Sequence, residues 1–271
     1  MASQANQAGA TNGELSPSGQ LQLPGLPSGD PVLDGDPGLG VSQVVSPDSL
    51  ALFTAPNPWN KSVKDLAKSS KSDTIINWLK NNGGWGSGSM KIDFGLTVLE
   101  ADNSTPKKTI TPTAEFYTPD CDNVPFPVPA SGALEGESGY QCSADGDCHL
   151  IVVHKGESKL YEMWRANISG GVFKGGCAAV WDLTKSYPAN LRGTDCTSAD
   201  AGGFPVAAML FTPKEVQAGA INHAIRFILP NNRIRDNVYV APGTHSTNAT
   251  SGPASAPPYG VRFRLRKDYP L

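Results

Sequence analysis

The chain has 271 residues, 39% hydrophobic and 17% charged, with 29 Gly, 23 Pro and a formal charge of −3. This length suits one large β domain or two small ones, and sparse charge with abundant Gly and Pro suits short strands joined by irregular loops. The mild negative charge argues against a nucleic-acid partner, and no run of about 20 apolar residues offers a transmembrane segment.

Residues 1–48 are rich in Gly, Pro, Ser, Gln and Asp and nearly devoid of aromatics, which predicts an extended tail or linker ahead of a single β-rich domain over 49–271. Met1-Ala2-Ser3-Gln4 lacks the basic and apolar regions of a secretory leader. The expectation is a secreted or periplasmic protein whose leader has been removed, with Met-Ala-Ser as an added start.

Asn57-Pro58-Trp59-Asn60 opens the domain. Ser72 to Lys80 reads as a helix, with Ser72 as N-cap, Ile75, Ile76 and Leu79 on one face, and Gly83 as the stop. From Lys91 the period changes to two: Ile92, Phe94, Leu96 and Val98 alternate as a half-buried strand. Ile110 to Phe116 suggests a second strand, which Pro112 assigns to an edge or bulge. Strands are expected over His149–His154 and Lys159–Arg165, joined by a turn at Lys155–Ser158. Another is expected over Val172–Leu183, with a bulge or close approach at Gly175-Gly176. Thr212-Pro213-Lys214-Glu215 is a capping box that starts a short helix ending near Gly219. Ile221–Leu229, Val238–Val240 and Val261–Leu265 read as further strands. Many short strands with two or three short helices predict a mainly β fold, a β-sandwich or jelly roll.

Five cysteines are present, and no Cys-x-x-Cys pair suggests structural zinc. Cys142 and Cys148 close a short polar loop that a disulfide can staple. Cys177 and Cys196 flank a second loop and can pair, which leaves Cys121 over and other pairings open.

Four clusters can carry chemistry. Asp147 and His149 stand two apart in an extended segment and so share a face, which suits a carboxylate orienting a general base. Glu162 and Trp164 share a face of the next strand, a carboxylate beside an indole, while Arg165 faces the other way. His223 lies among apolar neighbours with Arg226 on the opposite face, and His245 follows a strand, in a loop. His149, His223 and His245 are also candidate ligands for a divalent metal ion, although their spacing matches no metal motif. Trp181 is a second stacking candidate, and Glu135 and Asp182 are further carboxylates. Ser198, in the small polar loop Thr197–Gly203, lacks a nucleophile elbow.

The order of these motifs resembles a family of uncharacterised secreted bacterial β-rich proteins. The resemblance rests on Asn57-Pro58-Trp59-Asn60, Glu135-Gly136, Asp147-x-His149, Leu160-Tyr161-Glu162 and Ala179–Leu183. It continues through Thr197–Gly202, His223–Phe227, His245 and Pro257–Arg262, and it implies secretion and a single domain. At the level of layout alone, the chain is similar to jelly-roll polysaccharide lyases and hydrolases.

The leading expectation is an extracellular enzyme that cleaves a polysaccharide, as hydrolase or lyase. His149 and Glu162 would be acid and base, and Asp147 would orient His149. Trp164 or Trp181 would stack on sugar, and Arg165 or Arg226 would bind an acidic one. The alternatives are a non-catalytic carbohydrate-binding module and an oxidative enzyme with a histidine-ligated metal. Convergence of Asp147, His149, Glu162, His223 and His245 separates either enzyme from the module.

Overall fold

A computed structural model describes residues 52–85, 95–144, 146–266 and 268. The expected tail, and Ile92 and Phe94 of the first expected strand, lie outside the described residues. The described part is mainly β, with short helices. The helices are α1 (Ser72–Asn81) and α2 (Pro213–Gln217). The strands are β1 (Val98–Ala101), β2 (Lys107–Lys108), β3 (Ile110–Pro112), β4 (Phe126–Pro127), β5 (Leu150–His154), β6 (Lys159–Trp164), β7 (Asn167–Ser169), β8 (Val172–Gly175) and β9 (Cys177–Asp182).

They form a four-stranded sheet in the order β1-β5-β6-β9, a three-stranded sheet in the order β3-β8-β7, and the pair β2-β4. The hairpin β5–β6 turns at Lys155–Ser158, and β6 pairs antiparallel with β9. β1 pairs parallel with β5, and β3 parallel with β8, so the sheets are mixed. Pro112 sits on the edge strand β3, where no neighbour needs its missing N–H.

The four-stranded sheet is covered on both faces, which is why every residue of β5 is buried. One face packs Leu150, Val152, Tyr161 and Met163 against Phe126, Leu134 and Phe173. The other packs Ile151, Val153, Leu160 and Trp181 against Phe53, Trp59 and the segment Val206–Met209. The break between β8 and β9 falls at Gly176, where a Cβ would meet the Trp164 ring at 2.8 Å. The expected close approach is there.

Four local expectations are corrected. Among the described residues 221–229 form no strand, because their backbone bonds diverge: Ala224 N–H donates to Trp59 and Arg226 N–H to Met209. No strand forms at Val261–Leu265 either; Tyr239 and Tyr259 make only an isolated bridge. In α1 the N-cap position is Lys71, without a side-chain cap, and Ile76 is exposed while Leu79, Ile75 and Trp78 face inward. Cys177 pairs with Cys121, across 56 residues, and not with Cys196, which is free. The short staple Cys142–Cys148 forms as expected. So does the capping box of α2, in which Thr212 accepts from Glu215 N–H at 3.2 Å and Glu215 accepts from Thr212 N–H at 2.8 Å.

Candidate functional site

The chain leaves β9 at Asp182, and loop 197–206 then crosses the Glu162 side of the four-stranded sheet. Three consecutive residues of this loop are each gripped by a different predicted site residue. His149 Nε2 lies 2.9 Å from the carbonyl of Ala199. Arg226 donates to Asp200 Oδ1 through Nε at 3.1 Å and a terminal nitrogen at 2.7 Å. His245 Nδ1 lies 2.9 Å from the carbonyl of Ala201.

Asp200 is saturated. Its second oxygen accepts from Gly202 N–H at 2.8 Å and, more weakly, from Phe204 N–H at 3.5 Å, an Asx-type turn that shapes the loop. Ser198 is buried and tied to the backbone of Asp200 and Phe204, with no histidine or carboxylate side chain on its hydroxyl, so it is not placed as a nucleophile. Gly203 adopts φ +83°, and a Cβ there would collide with Thr244 Oγ1 at 1.9 Å. Thr244 in turn donates to Cys196 O at 2.7 Å and closes the loop from above.

The carboxylate on His149 is Glu135, not Asp147: Glu135 Oε2 lies 2.6 Å from His149 Nδ1. Both ring nitrogens therefore face oxygen acceptors, and only the doubly protonated imidazolium satisfies both. Burial opposes charge on each partner, and the mutual bond outweighs it. The Glu135 carboxyl is held below its ordinary value and the His149 imidazole above. His149 is sealed from solvent, while Glu135 is partly exposed. No described residue donates to Glu135 Oε1. Arg226 adds a favourable field at Glu135 and an unfavourable one at His149.

Glu162 is wholly buried, and its oxygens accept from Trp181 Nε1 at 3.1 Å, Val206 N–H at 3.0 Å and Ala207 N–H at 2.8 Å. Burial pushes its carboxyl up to about 7 against the pull of the two backbone donors. Its face of β6 was expected to present a carboxylate and an indole to a sugar. Instead it packs beneath Val206–Met209, and Glu162 anchors that segment.

No protein-family model, curated protein or solved structure matches the chain.

The remaining expected residues lie apart from the loop. Asp147 accepts from Trp164 Nε1 at 3.0 Å, and the Arg165 guanidinium lies 5.6 Å from the Trp164 ring. These three form their own surface cluster. His223 bonds Glu215 at 3.2 Å and the carbonyl of Ala224 at 2.8 Å, bracing α2. Trp181 is fully buried among Trp59 and Tyr187, so its ring cannot stack on a ligand. Asp182 caps a turn at Thr184.

The three histidines do not meet. Among the described residues the one grouping with metal-ligand geometry is Glu137, Cys142 and Cys148, and its two sulfurs are joined in a disulfide. Glu135 was legible in the sequence as a carboxylate without its partner, and Asp200 only as a member of the polar loop. Tyr259, which feels the charges of both Asp200 and Arg226, was legible only as part of the closing motif Pro257–Arg262.

The two disulfides mark an oxidising environment. No described helix is long and apolar enough to cross a membrane.

Proposed function

We propose that the chain is a secreted carbohydrate-active enzyme that cleaves a polysaccharide, with its site at loop 197–206 on a sandwich-type β scaffold. The observation that supports this reading is the grip of His149, Arg226 and His245 on Ala199, Asp200 and Ala201. The charges of Glu135, His149 and Arg226 act on one another there, and such coupling of perturbed ionisable groups is characteristic of working sites.

The roles differ from those expected from sequence. Glu135, ionised and reached by solvent, takes the part of base or nucleophile that Glu162 was expected to play. His149 is a positioning residue, since neither ring nitrogen is left to take a proton. His245 is the proton-transfer residue in this reading: its Nδ1 faces the Ala201 carbonyl, and its Nε2 has no partner among the described residues. Arg226 supplies positive charge for an acidic sugar. The parallel pairs β1/β5 and β3/β8 favour a sandwich over a jelly roll, whose strands pair antiparallel.

The test is product release from neutral and acidic polysaccharides by the wild type, Glu135→Gln and His245→Gln. The expected result is cleavage of at least one substrate, reduced on the order of a hundredfold or more in either variant. Cleavage that survives in Glu135→Gln overturns the site. Retention of a glycan without cleavage by any form replaces it with the binding-module reading, which the sealed His149 and Glu162 favour.

A further inference from the structure

A second surface stands apart from this site, built from α1, the loop before it, and two C-terminal segments. Leu79, Leu229 and Ile234 make a small core of their own, covered by Trp78, Trp85 and Phe263. The Trp85 ring meets Phe227 at 5.3 Å and Phe263 at 4.9 Å. Arg264 clasps the loop, donating to the carbonyls of Val63, Lys64 and Leu66. Arg233 holds the end of α1 through the carbonyls of Gly83 and Gly84, each at 3.1 Å. These contacts make the segments one unit.

Its outer face is apolar and cationic together. Ile228 is 78% exposed, Leu265 62% and Leu66 58%, with Ile225 and Ile76 also projecting. Leaving out Arg226, which is paired with Asp200 in the site above, the described residues of 52–85 and 221–268 carry ten Lys and Arg against four Asp and Glu, a net of +6. The described residues of 95–220, which hold the sheets, carry nine against fourteen, a net of −5. An overall charge of −3 conceals this division.

We propose that this face docks on an anionic lipid bilayer. Charge complementarity selects an anionic partner. The projecting side chains then select lipid: Ile228, Leu265 and Leu66 are aliphatic, without a flat ring to stack on a sugar, and suit the headgroup–acyl boundary. Trp85 and Phe227 beside them are the aromatic types that favour that boundary, and Lys61, Lys71, Lys80 and Arg262 of the same segments are exposed. The reading does not depend on the activity proposed above.

The test is co-sedimentation of the full chain with phosphatidylcholine vesicles, with and without phosphatidylglycerol. Binding is expected only with the anionic lipid, and it should weaken as salt screens the charges. Each cation contributes about fivefold to partitioning, so Lys61→Gln with Lys71→Gln and Lys80→Gln should reduce it by on the order of a hundredfold. Ile228→Ser with Leu265→Ser should reduce binding while keeping its salt dependence. All five positions are exposed, so unchanged melting confirms that the fold is intact. Indifference to phosphatidylglycerol, or no binding to either vesicle, overturns the proposal. So does equal binding of the aliphatic variant, or capture by soluble alginate that outcompetes the vesicles. Self-association abolished by the same substitutions would assign the face to a second copy instead.

Discussion

The pair Glu135–His149 shows what a single residue identity can and cannot reveal. A histidine after an aspartate in an extended segment suggested a base and its orienting carboxylate. That carboxylate comes instead from Glu135, fourteen residues earlier, because Glu135 N–H pairs with the His149 carbonyl and brings the two side chains together. A contact set by loop closure has no periodic signature. Its effect on stability has a definite sign. The depressed Glu135 contributes stability above 4.5 that is lost as pH falls through its folded value. The raised His149 contributes stability below 6.5 that is lost as pH rises through its folded value. The pair therefore contributes fully between 4.5 and 6.5. Glu135→Ala leaves a buried imidazolium without its counter-ion and should cost on the order of 3 kcal/mol at pH 6, read from urea midpoints. Glu135→Gln keeps an acceptor and should cost less. Glu162 acts in a different window: its neutral form is favoured, so its contribution is full below 4.5 and lost as pH rises to about 7. Glu162→Gln should flatten that decline, roughly 3 kcal/mol in extent. It also opposes an amide N–H to the N–H donors there, a penalty of about 1–3 kcal/mol that persists at every pH. A stability curve equally steep in the variant would assign the decline to other groups.

At the scale of elements, the sheets were legible and the C-terminal third was not. β5, β6 and β9 carry the Val, Ile, Leu and Tyr expected of buried strands, and the turn between β5 and β6 carries Gly156 and Ser158. Residues 221–229 carry a similar apolar density, yet they form an irregular cover. Their Ile225, Phe227 and Ile228 turn outward while the backbone bonds to two separate segments. Composition alone does not separate a strand from an apolar segment without a neighbouring edge. Loop 197–206 is the opposite case: it reads as small and polar, but it is the most heavily anchored segment of the site. Its shape depends on Gly203, whose positive φ and contact with Thr244 leave no room for a side chain. Gly203→Ala should lower stability by about 3 kcal/mol through backbone strain and overpacking. It should also reduce any activity of the loop more than Gly219→Ala does, since that Cβ meets nothing. Both glycines have positive φ, so thermal melts of the two variants isolate the collision with Thr244; equal melting points would show that the loop shifts to accept the methyl group.

At the scale of the whole molecule, the long disulfide ties the site to the sheet. Cys121–Cys177 holds residues 120–122 along the outer edge of β9, where Asp122 N–H donates to Ala178 O and its side chain accepts from Val180 N–H at 2.8 Å. This covers an otherwise open edge. Arg192 then links the same residues to the site loop: it donates to Asp122 at 2.7 Å, to the Asp120 carbonyl at 2.8 Å and to the Thr197 carbonyl at 3.1 Å. Asp120 completes the link by accepting from Thr197 N–H at 3.0 Å. Among the described residues the cysteines of the short staple Cys142–Cys148 make no bond of their own to the loop, which they approach only through the adjoining His149; their bonds are to Glu137, Ala144, Ala166 and Asn167. The two bridges should therefore differ in both size and reach. Loop-closure entropy assigns about 4 kcal/mol to the long bridge and about 2 kcal/mol to the short one. Cys121→Ser with Cys177→Ser should lower the denaturant midpoint more than Cys142→Ser with Cys148→Ser. It should also speed hydrogen exchange at the amides of Thr197, Gly202 and Gly203, which the short-bridge variant should leave protected. Equal exchange in the two variants would mean that Glu162, His149 and Thr244 hold the loop without help from the sheet edge.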